Sequence, residues 1–296
     1  MTAPARIPEC QSDLLVGGHG GIARLSEAVR QARAGSTINV EAGIYHDDSV
    51  LIDKPIRIVG RNGTPIFQAL HLIPNGGIFR ISADVEIENL AFCGAASLSG
   101  NAAGIRQTVG ILTVRRCVFR GNQNGIFCAD DPEAKLIVED SQFIDNGAGD
   151  GHTHGLYIGS ESASLMVEKS VFIGTQVGHH LKSRARRTEV RDCRFGDYGS
   201  GRTSYAIDLP NGGVGEIVGN TLVQNINAEH FALINYGGEG MKYASNALTV
   251  RGNSFVGNGR LLSVAVRNRS RVAAELADNR FDNIRLRLWG RGRISR

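Results

Sequence analysis

The 296-residue sequence contains few cysteines, few aromatic residues and no long apolar segment. Its five cysteines are odd in number and lack the spacing of a metal site, so the sequence predicts reduced, buried thiols rather than a disulfide framework. No segment is long and apolar enough to span a membrane as a helix. The net charge of +4 is too small to indicate a nucleic-acid partner. We therefore expect no nucleic acid and no membrane span, and the sequence leaves the oligomeric state open.

The two ends of the chain carry little pattern. Residues 1–20 lack the apolar stretch of a secretory signal peptide, so we expect a cytoplasmic protein if Met1 is the native start. If a leader preceded Met1, the expected location is the periplasm or the exterior. Residues 285–296 carry five arginines, which predicts a solvated basic tail, with contact to an acidic polymer as the alternative.

The strongest pattern is an internal repeat between Val85 and Phe281. In each copy an apolar residue is followed by a second two places later, a small or polar residue after three more, and Phe or Leu after two more. The closing residues of the eight copies are Phe92, Phe119, Phe143, Phe172, Phe195, Leu222, Phe255 and Phe281. They span 189 residues in seven steps, a mean period of 27, and periods of about 20–50 residues indicate stacked repeats.

Each copy has the period-two alternation of a β-strand and is followed by turn residues such as Gly121-Asn122. A unit of this length without a helix predicts one coil of a parallel β-helix, with coils stacked at about 4.8 Å. A propeller is the structural alternative, but its blades are usually longer, about 40 residues. The closing Phe and Leu residues should form one interior column, and a second column should lie at a bend, where Asn amides can pair between coils. The bend column contains Leu90, Cys117, Ser141, Ser170, Cys193, Asn220, Asn253 and Asn279.

The N-terminal region predicts a helix that caps the first coil. Apolar residues from Ile22 to Ala32 share one helical stripe, and Gly35 follows as a stop. With residues 34–45, this segment resembles the entry of the pectate-lyase-like superfamily, and the resemblance extends to about Phe281. It implies an all-β fold: a right-handed, single-stranded parallel β-helix solenoid of about nine or ten coils with an N-terminal capping α-helix. We expect an N-terminal extension over 1–21, the helix over 22–34, the β-helix over 35–284 and the basic tail over 285–296.

Function should lie on an outer face, because a β-helix fills its interior. We align the second strands of the middle coils so that one column points inward: Phe127, Tyr157, Leu181, Ile207 and Leu233. Because strand side chains alternate, their neighbours should bring a polar cluster to one groove. Its members, the candidate catalytic residues, are His154, His180, Lys182, Arg184 and Asp208. Loops at 147–153 and 235–240 should wall the groove. The candidate substrate-binding residues are His152, Ser204, His230 and Tyr236.

The mixture of imidazole, ammonium, guanidinium and carboxylate groups fits several interpretations. The simplest is a solvated ladder of ion pairs without function. For β-elimination on a uronate, a cation must neutralise the carboxylate and a base must take the neighbouring proton, roles that suit Arg184 and Lys182. A uronate epimerase needs the same groups. A glycoside hydrolase needs two facing carboxylates, and only Asp208 is securely placed, although Gly178-His-His is similar to the Gly-His-Gly motif of polygalacturonase-like hydrolases.

Metal binding has little support in the sequence. His154, His180 and Asp208 can converge, but no zinc signature fixes their geometry, so we expect no metal ligands at the site. Calcium is the one cofactor that the superfamily resemblance leaves open. Its acidic candidates are Asp130, Asp131, Asp145 and Asp150, and each also fits plain turn chemistry.

The leading hypothesis is a carbohydrate-active enzyme that acts on an acidic, uronate-containing polysaccharide or oligosaccharide. The simplest such enzyme is a polysaccharide lyase that works by β-elimination. The alternative is a non-catalytic β-helix scaffold that binds a glycan or a protein through the same cationic face.

Overall fold

The computed structural model of the chain describes residues 13–74, 76–159, 161–196, 201–224, 226–257 and 261–295. Within them the chain winds through about ten coils of a right-handed parallel β-helix, with three strands in a complete coil. Strands pair in parallel with the equivalent strands of the neighbouring coils. The predicted fold class is therefore confirmed.

The described strands are numbered in chain order, and the helix α1 (Leu25–Gln31) lies between the first two. The strands are β1 (Leu14–Val16), β2 (Thr37–Glu41), β3 (Ile44–His46), β4 (Val50–Ile52), β5 (Ile56–Arg61), β6 (Ile66–Gln68), β7 (Gly77–Ile81), β8 (Val85–Glu88), β9 (Ala91–Cys93), β10 (Ala103–Gln107), β11 (Ile111–Arg115), β12 (Val118–Arg120), β13 (Asn124–Cys128), β14 (Lys135–Glu139), β15 (Gln142–Ile144), β16 (Leu156–Ile158), β17 (Ser164–Glu168), β18 (Val171–Ile173), β19 (Leu181–Ser183), β20 (Arg187–Arg191), β21 (Arg194–Gly196), β22 (Ile207–Leu209), β23 (Val214–Val218), β24 (Thr221–Val223), β25 (Ala232–Tyr236), β26 (Ala247–Arg251), β27 (Ser254–Val256), β28 (Val264–Asn268), β29 (Ala274–Ala277), β30 (Arg280–Asp282), β31 (Leu286–Trp289) and β32 (Gly292–Ser295).

These strands form three sheets along the solenoid axis. Sheet 1 has twelve strands, in the order β1, β2, β5, β8, β11, β14, β17, β20, β23, β26, β29 and β32. Sheet 2 has ten, in the order β3, β6, β9, β12, β15, β18, β21, β24, β27 and β30. Sheet 3 has ten, in the order β4, β7, β10, β13, β16, β19, β22, β25, β28 and β31.

The interior is filled by the repeated apolar residues. Phe119, Phe143 and Phe172 occupy equivalent positions in sheet 2, with successive ring centroids 4.8 and 4.5 Å apart and rings within 12° of parallel. Phe195 continues the stack, and its side chain is fully buried like theirs. Phe281, in the last coil, is only partly buried. The predicted interior column is confirmed, and each buried ring stabilises the fold by roughly 1.5–3 kcal/mol relative to an exposed one.

Side-chain hydrogen bonds form a second column at the bend between sheets 1 and 2. Asn220 accepts from the backbone N–H of Cys193 at 2.8 Å and donates its amide to Oδ1 of Asn253 at 2.9 Å. Asn253 donates in the same way to Asn279 at 3.0 Å. Buried polar groups cost free energy unless they are paired, and this column pairs backbone groups at the bend. The predicted pairing of Asn amides between coils is confirmed.

The N-terminal helix is shorter than predicted. It ends at Gln31 because the next residue, Ala32, takes extended backbone angles. Its first turn is capped from elsewhere in the chain, since Oδ2 of Asp48 accepts from the N–H of Leu25 at 2.6 Å. The apolar face of the helix is buried against β1, β2 and β4. No helix in the described residues is long and apolar enough to cross a membrane.

The residues assigned to a basic tail form strands. β31 pairs with β28 through Leu286 and Leu288, and β32 pairs with β29 through Ile294. Exposed arginines alternate with these apolar residues, so the backbone continues the sheets while the guanidinium groups face solvent. Residues 285–295 are exposed except Leu288, as expected for a solvated segment, but they form strands rather than a tail, because period-two alternation outweighs the density of charge here. The division of the chain into four segments otherwise stays a prediction.

Four cysteines lie in the described residues, and all four are free thiols. Burial raises the pKa of the Cys117 and Cys193 thiols to about 12, which keeps them protonated and unreactive. Cys93 is partly exposed. The expected burial holds for Cys117, Cys128 and Cys193 and not for Cys93, while Cys10 lies outside the described residues.

We expect Phe143→Ala to lower the free energy of unfolding by about 3–5 kcal/mol, because it opens a cavity in the stacked interior. The matched control is Phe127→Ala, which removes a partly exposed ring from the outer face of sheet 3. Urea unfolding of both variants checks the expectation. Equal losses would contradict the assignment of the two rings to different faces.

Candidate functional site

The candidate site lies on the outer face of sheet 3. The register places one inward column of residues in the middle coils: Ile126, Leu156, Leu181, Ile207 and Ile234. The predicted alignment is right for Leu181 and Ile207 and wrong by one residue for Phe127, Tyr157 and Leu233. Leu233 still contacts the core, but Phe127 and Tyr157 lie on the outer face. Their strands carry apolar residues on both faces, so the alternation of apolar and polar residues does not show which side chains point inward.

Lys182 and Asp208 are direct neighbours across β19 and β22, as the sequence predicts. Nζ of Lys182 lies 3.7 Å from Oδ2 of Asp208, and only 12% and 3% of the two side chains are exposed. Leu181 is fully buried. The predicted outward direction of Lys182 is therefore confirmed.

The loop after β25 places a second carboxylate on the cations of the site. Glu239 contacts Nζ of Lys182 at 3.1 Å and Nη2 of Arg184 at 2.6 Å. Arg184 also donates to Oδ1 of Asn211 at 2.5 Å. Although burial raises it, the pKa of Glu239 is held below its ordinary value by the hydrogen bond from Arg184 and the charge of Lys182. The sequence predicted this loop as a wall but missed Glu239 as a member of the cluster.

Four rings stack along the same face, one from each successive coil. His154 lies 4.9 Å from His179, His179 lies 5.2 Å from Tyr205, and Tyr205 lies 4.4 Å from His230 between ring centroids. His154 and His230 were candidates from the sequence. His179 and Tyr205 were missed, although both carry ring types that are common in binding sites.

Backbone N–H groups fix the tautomers of two of these histidines. The N–H of His179 donates to Nδ1 of His154 at 3.1 Å, and the N–H of Tyr205 donates to Nδ1 of His179 at 3.2 Å. Each neutral ring therefore carries its proton on Nε2. Burial, helped by the charge of Lys182, lowers the pKa of His154 to about 3, and burial lowers the pKa of His179 well below its ordinary value. At neutral pH these rings are hydrogen-bond donors rather than bases.

His180 does not face the groove, so this part of the predicted site is wrong. Its ring nitrogens contact Oγ1 of Thr175 at 2.7 Å and Oγ1 of Thr203 at 3.2 Å, next to two rings of the interior Phe column. His180 and Leu181 are both buried on the inner side because the chain bends just before β19. Strict alternation therefore assigns His180 to the wrong face, and His179 takes the outward place.

Asp208 is the most deeply buried charged group of the site. Its Oδ1 accepts from Nδ2 of Asn235 at 2.7 Å, and its Oδ2 lies 3.4 Å from Nε2 of His179. Burial raises the pKa of Asp208 to about 6, against the opposing effects of the Asn235 hydrogen bond and the charge of Lys182. Oδ1 of Asn235 is buried and has no hydrogen-bond partner among the described residues.

Asp208, Asn235, Glu239 and the rings of His179, Tyr205 and His230 line a groove of about 300 Å³. Lys182, Arg184 and His154 are not among its lining residues, but Lys182 and Arg184 contact Glu239, and His154 stacks on His179. Gly151 and Gly238, from the two loops predicted as walls, lie on its sides, and the predicted binding residues Ser204 and His230 line it as well. Arg269, which follows β28, adds a cation that the sequence analysis missed. The groove thus combines cations, carboxylates and ring N–H groups.

Two predicted binding residues lie outside the groove. Tyr236 is fully buried, and its hydroxyl donates to the carbonyl of Gly213 at 2.7 Å. It pairs with the buried Leu209, so it belongs to the inner face and its assignment to substrate binding is wrong. His152 is exposed on the loop before β16 and is not among the residues that line the groove.

The described residues contain no group of three or more His, Cys, Asp or Glu side chains that could hold a metal ion. The acidic residues considered for calcium take part in turns. Asp131 accepts from the N–H of Glu133 at 2.8 Å, and Asp150 accepts from the N–H of His152 at 2.8 Å. Asp145 adopts the left-handed conformation with φ of 52°.

We expect Asp208→Asn to change the pH dependence of stability. The folded protein holds the proton of Asp208 up to about pH 6, whereas the unfolded chain loses it near 3.8. The wild type therefore loses stability relative to the variant as pH rises from 4 to 6, by up to about 3 kcal/mol. Urea unfolding of both proteins at pH 4 and pH 7 measures this difference, and a difference that does not vary with pH would contradict it.

No protein-family model matches the sequence, and no curated protein matches it significantly. Solved structures match in fold. An alginate lyase from Paenibacillus sp. strain FPU-7 gives a TM-score of 0.56 at 16% identity over 90% of this chain and 95% of that one. The PL6-family alginate lyase AlyGC gives 0.60 at 14% identity over 95% of this chain and 41% of that one. A protein of Geobacillus virus E2 gives 0.55 at 13% identity over 91% and 57%. At these identities the likeness shows the fold, and that fold is the right-handed parallel β-helix.

Proposed function

We propose that the protein binds a uronate-containing polysaccharide or oligosaccharide in this groove and cleaves it by β-elimination. The observation that carries the proposal is the contact of Lys182 and Arg184 with the carboxylate of Glu239, at 3.1 and 2.6 Å. Both cations are largely buried, where charge-assisted hydrogen bonds to a carboxylate are strong. A uronate carboxylate that displaced Glu239 would make the same contacts.

β-Elimination requires that the uronate carboxylate be neutralised so that the neighbouring C–H becomes acidic. Lys182 and Arg184 supply that positive charge. A base takes the proton, the electron pair forms a double bond conjugated with the carboxylate, and the bond to the glycosidic oxygen breaks. The departing oxygen takes a proton from the hydroxyl of Tyr205, and the Nε2–H of the neutral His179 ring can donate a hydrogen bond to it.

We assign the base to Asp208 rather than to Lys182. Lys182 forms ion pairs with the carboxylates of both Asp208 and Glu239, so its role is that of a cation that holds a carboxylate. Asp208 has a pKa raised to about 6 by burial, close to the pH at which a general base works best. Lys182 and Arg184 then hold the substrate carboxylate, while Asp208 accepts the proton.

The comparisons support the substrate class by analogy. Two solved structures that share the fold are described as alginate lyases. One fold hosts many chemistries, so the argument for an acidic glycan rests on the carboxylate-binding cations and not on the fold.

Glycoside hydrolysis is a second candidate, which one observation favours. Asp208 and Glu239 both contact Nζ of Lys182, so their carboxylates lie less than about 7 Å apart. A carboxylate pair at roughly 5–9.5 Å is the arrangement that glycosidases use. The sequence supplied only Asp208 for this role, and Glu239 is the partner that the structure adds.

The direct test is incubation with a panel of uronic-acid polymers, read at the ultraviolet absorbance of an unsaturated uronate. We expect the absorbance to rise with the wild-type protein. With Lys182→Ala the rate of this increase should be at least about 100-fold lower, because the substrate carboxylate loses a neutralising charge. Lys135→Ala, on the exposed end of a sheet 1 strand, is the matched control and should keep full activity.

Other products would assign other reactions. New reducing ends without absorbance would overturn the lyase and support the hydrolase. Exchange of the proton next to the carboxylate with solvent deuterium, without cleavage, would identify an epimerase. Binding of the polymer without any product would support the non-catalytic scaffold.

Glu239→Gln separates the two cleavage mechanisms. In a lyase Glu239 only competes with the substrate carboxylate, so the variant should show a KM lowered several-fold, with kcat kept within about threefold. In a hydrolase Glu239 reacts, and the variant should lose turnover. Steady-state kinetics with a uronate oligomer distinguish them, with Glu229→Gln on the same groove as the control.

A further inference from the structure

The only tryptophan of the chain lies on the outer face of sheet 3, in its last strand. Trp289 is 45% exposed and stacks on Phe231, with ring centroids 5.2 Å apart. The guanidinium of Arg267 lies over both rings, 5.2 Å from the Phe231 centroid and 5.5 Å from that of Trp289. An exposed indole face beside a guanidinium offers both an apolar surface and a positive charge to a ligand.

The strand register places this group on the same column as the candidate site. Asp208 pairs with Asn235, Asn235 pairs with Arg267, and Arg267 pairs with Trp289. Four strand spacings separate Lys182 from Trp289, which is roughly 19 Å along the axis. Nη1 of Arg267 also lies 3.4 Å from the hydroxyl of Tyr205, a ring that lines the groove. The aromatic group therefore lies next to the groove, on the same column of the sheet.

On the opposite side of the site, the ring on the same column is less exposed than Trp289. Phe127 is on the same column, but Arg106 covers its ring at 4.3 Å and Tyr157 stacks on it at 4.9 Å. Arg106 is itself held by the carbonyl of Asn101 at 3.2 Å. Arg269 lines the groove on the side of Trp289 and adds positive charge there. A bound anionic chain should therefore extend towards the last coils.

We propose that Trp289, Phe231 and Arg267 form a distal binding position for the same acidic glycan chain. The C–H face of a pyranose ring packs on the indole of Trp289, and the carboxylate of that unit pairs with Arg267. This inference rests on the proposed function, because it takes the uronate at Lys182 and Arg184 as the other anchor of the chain. The separation of roughly 19 Å corresponds to about four further sugar units, close to one for each coil.

The position implies a threshold in chain length. A uronate dimer or trimer anchored at Lys182 ends before it reaches Trp289, whereas a hexamer covers it. Because the protein has a single tryptophan, its fluorescence reports occupancy of this position alone. The affinity gained through the distal position should appear only with chains long enough to reach it.

The experiment mixes the full-length protein with unbranched uronate oligomers of two to eight units and records tryptophan emission by stopped flow, before product accumulates. Hexamer and longer chains should shift the emission, and dimer and trimer should bind, by calorimetry, without a shift. Trp289→Leu should weaken hexamer binding roughly tenfold and leave trimer binding within about twofold. Arg267→Gln should act in the same way, whereas its matched control Arg106→Gln, over Phe127, should not.

The outcomes separate the two proposals. If hexamer and trimer bind with equal affinity and neither shifts the emission, the distal position is overturned while the groove stands. If the trimer shifts the emission as strongly as the hexamer, the threshold and the distal assignment are both overturned. If no uronate oligomer of any length binds, the proposed function is overturned and the distal position falls with it.

Discussion

Backbone hydrogen bonds between successive coils determine every other feature of the molecule. They hold equivalent residues at one strand spacing, so that each position of the repeat becomes a column along the axis. A column inside must be apolar and of similar shape in every coil, and stacked Phe rings such as Phe143 and Phe172 satisfy this. A column at a bend must pair its polar atoms, and Asn220 and Asn253 do so through their side-chain amides. The 27-residue period is the trace of these two requirements in the sequence.

The same constraint concentrates charge on one outer column. Lys182 and Asp208 are in contact because the strand register places them side by side. Partial burial of their charges costs free energy. The carboxylate of Glu239 pairs with Lys182, the amide of Asn235 donates to Asp208, and backbone N–H groups fix the tautomers of the stacked histidines. Such an arrangement of partly buried charges contributes little to the stability of the fold. Proteins carry destabilising arrangements of this kind at functional sites.

Sequence reasoning succeeded where the repeat constrains the residue and failed where it does not. The interior Phe column, the Asn pairing and the Lys182–Asp208 contact follow from period and parity. Phe127 and Tyr157 were misplaced because their strands are apolar on both faces, and His180 was misplaced because two consecutive residues point inward at a bend. Glu239 comes from an irregular loop, and no periodicity predicts which loop residue reaches back to a strand two coils away.

That loop also explains why the candidate site lies in these coils. The step from Leu222 to Phe255 is 33 residues, longer than the mean period, and the extra length allows Glu239 to return over Lys182 and Arg184. Its backbone is fixed there, since the N–H of Glu239 donates to the carbonyl of Pro210 at 2.9 Å. A regular coil would leave both cations solvated and weak as ligands. The insertion instead encloses them beside Asp208, which lowers the local dielectric constant and strengthens their attraction for any carboxylate that replaces that of Glu239.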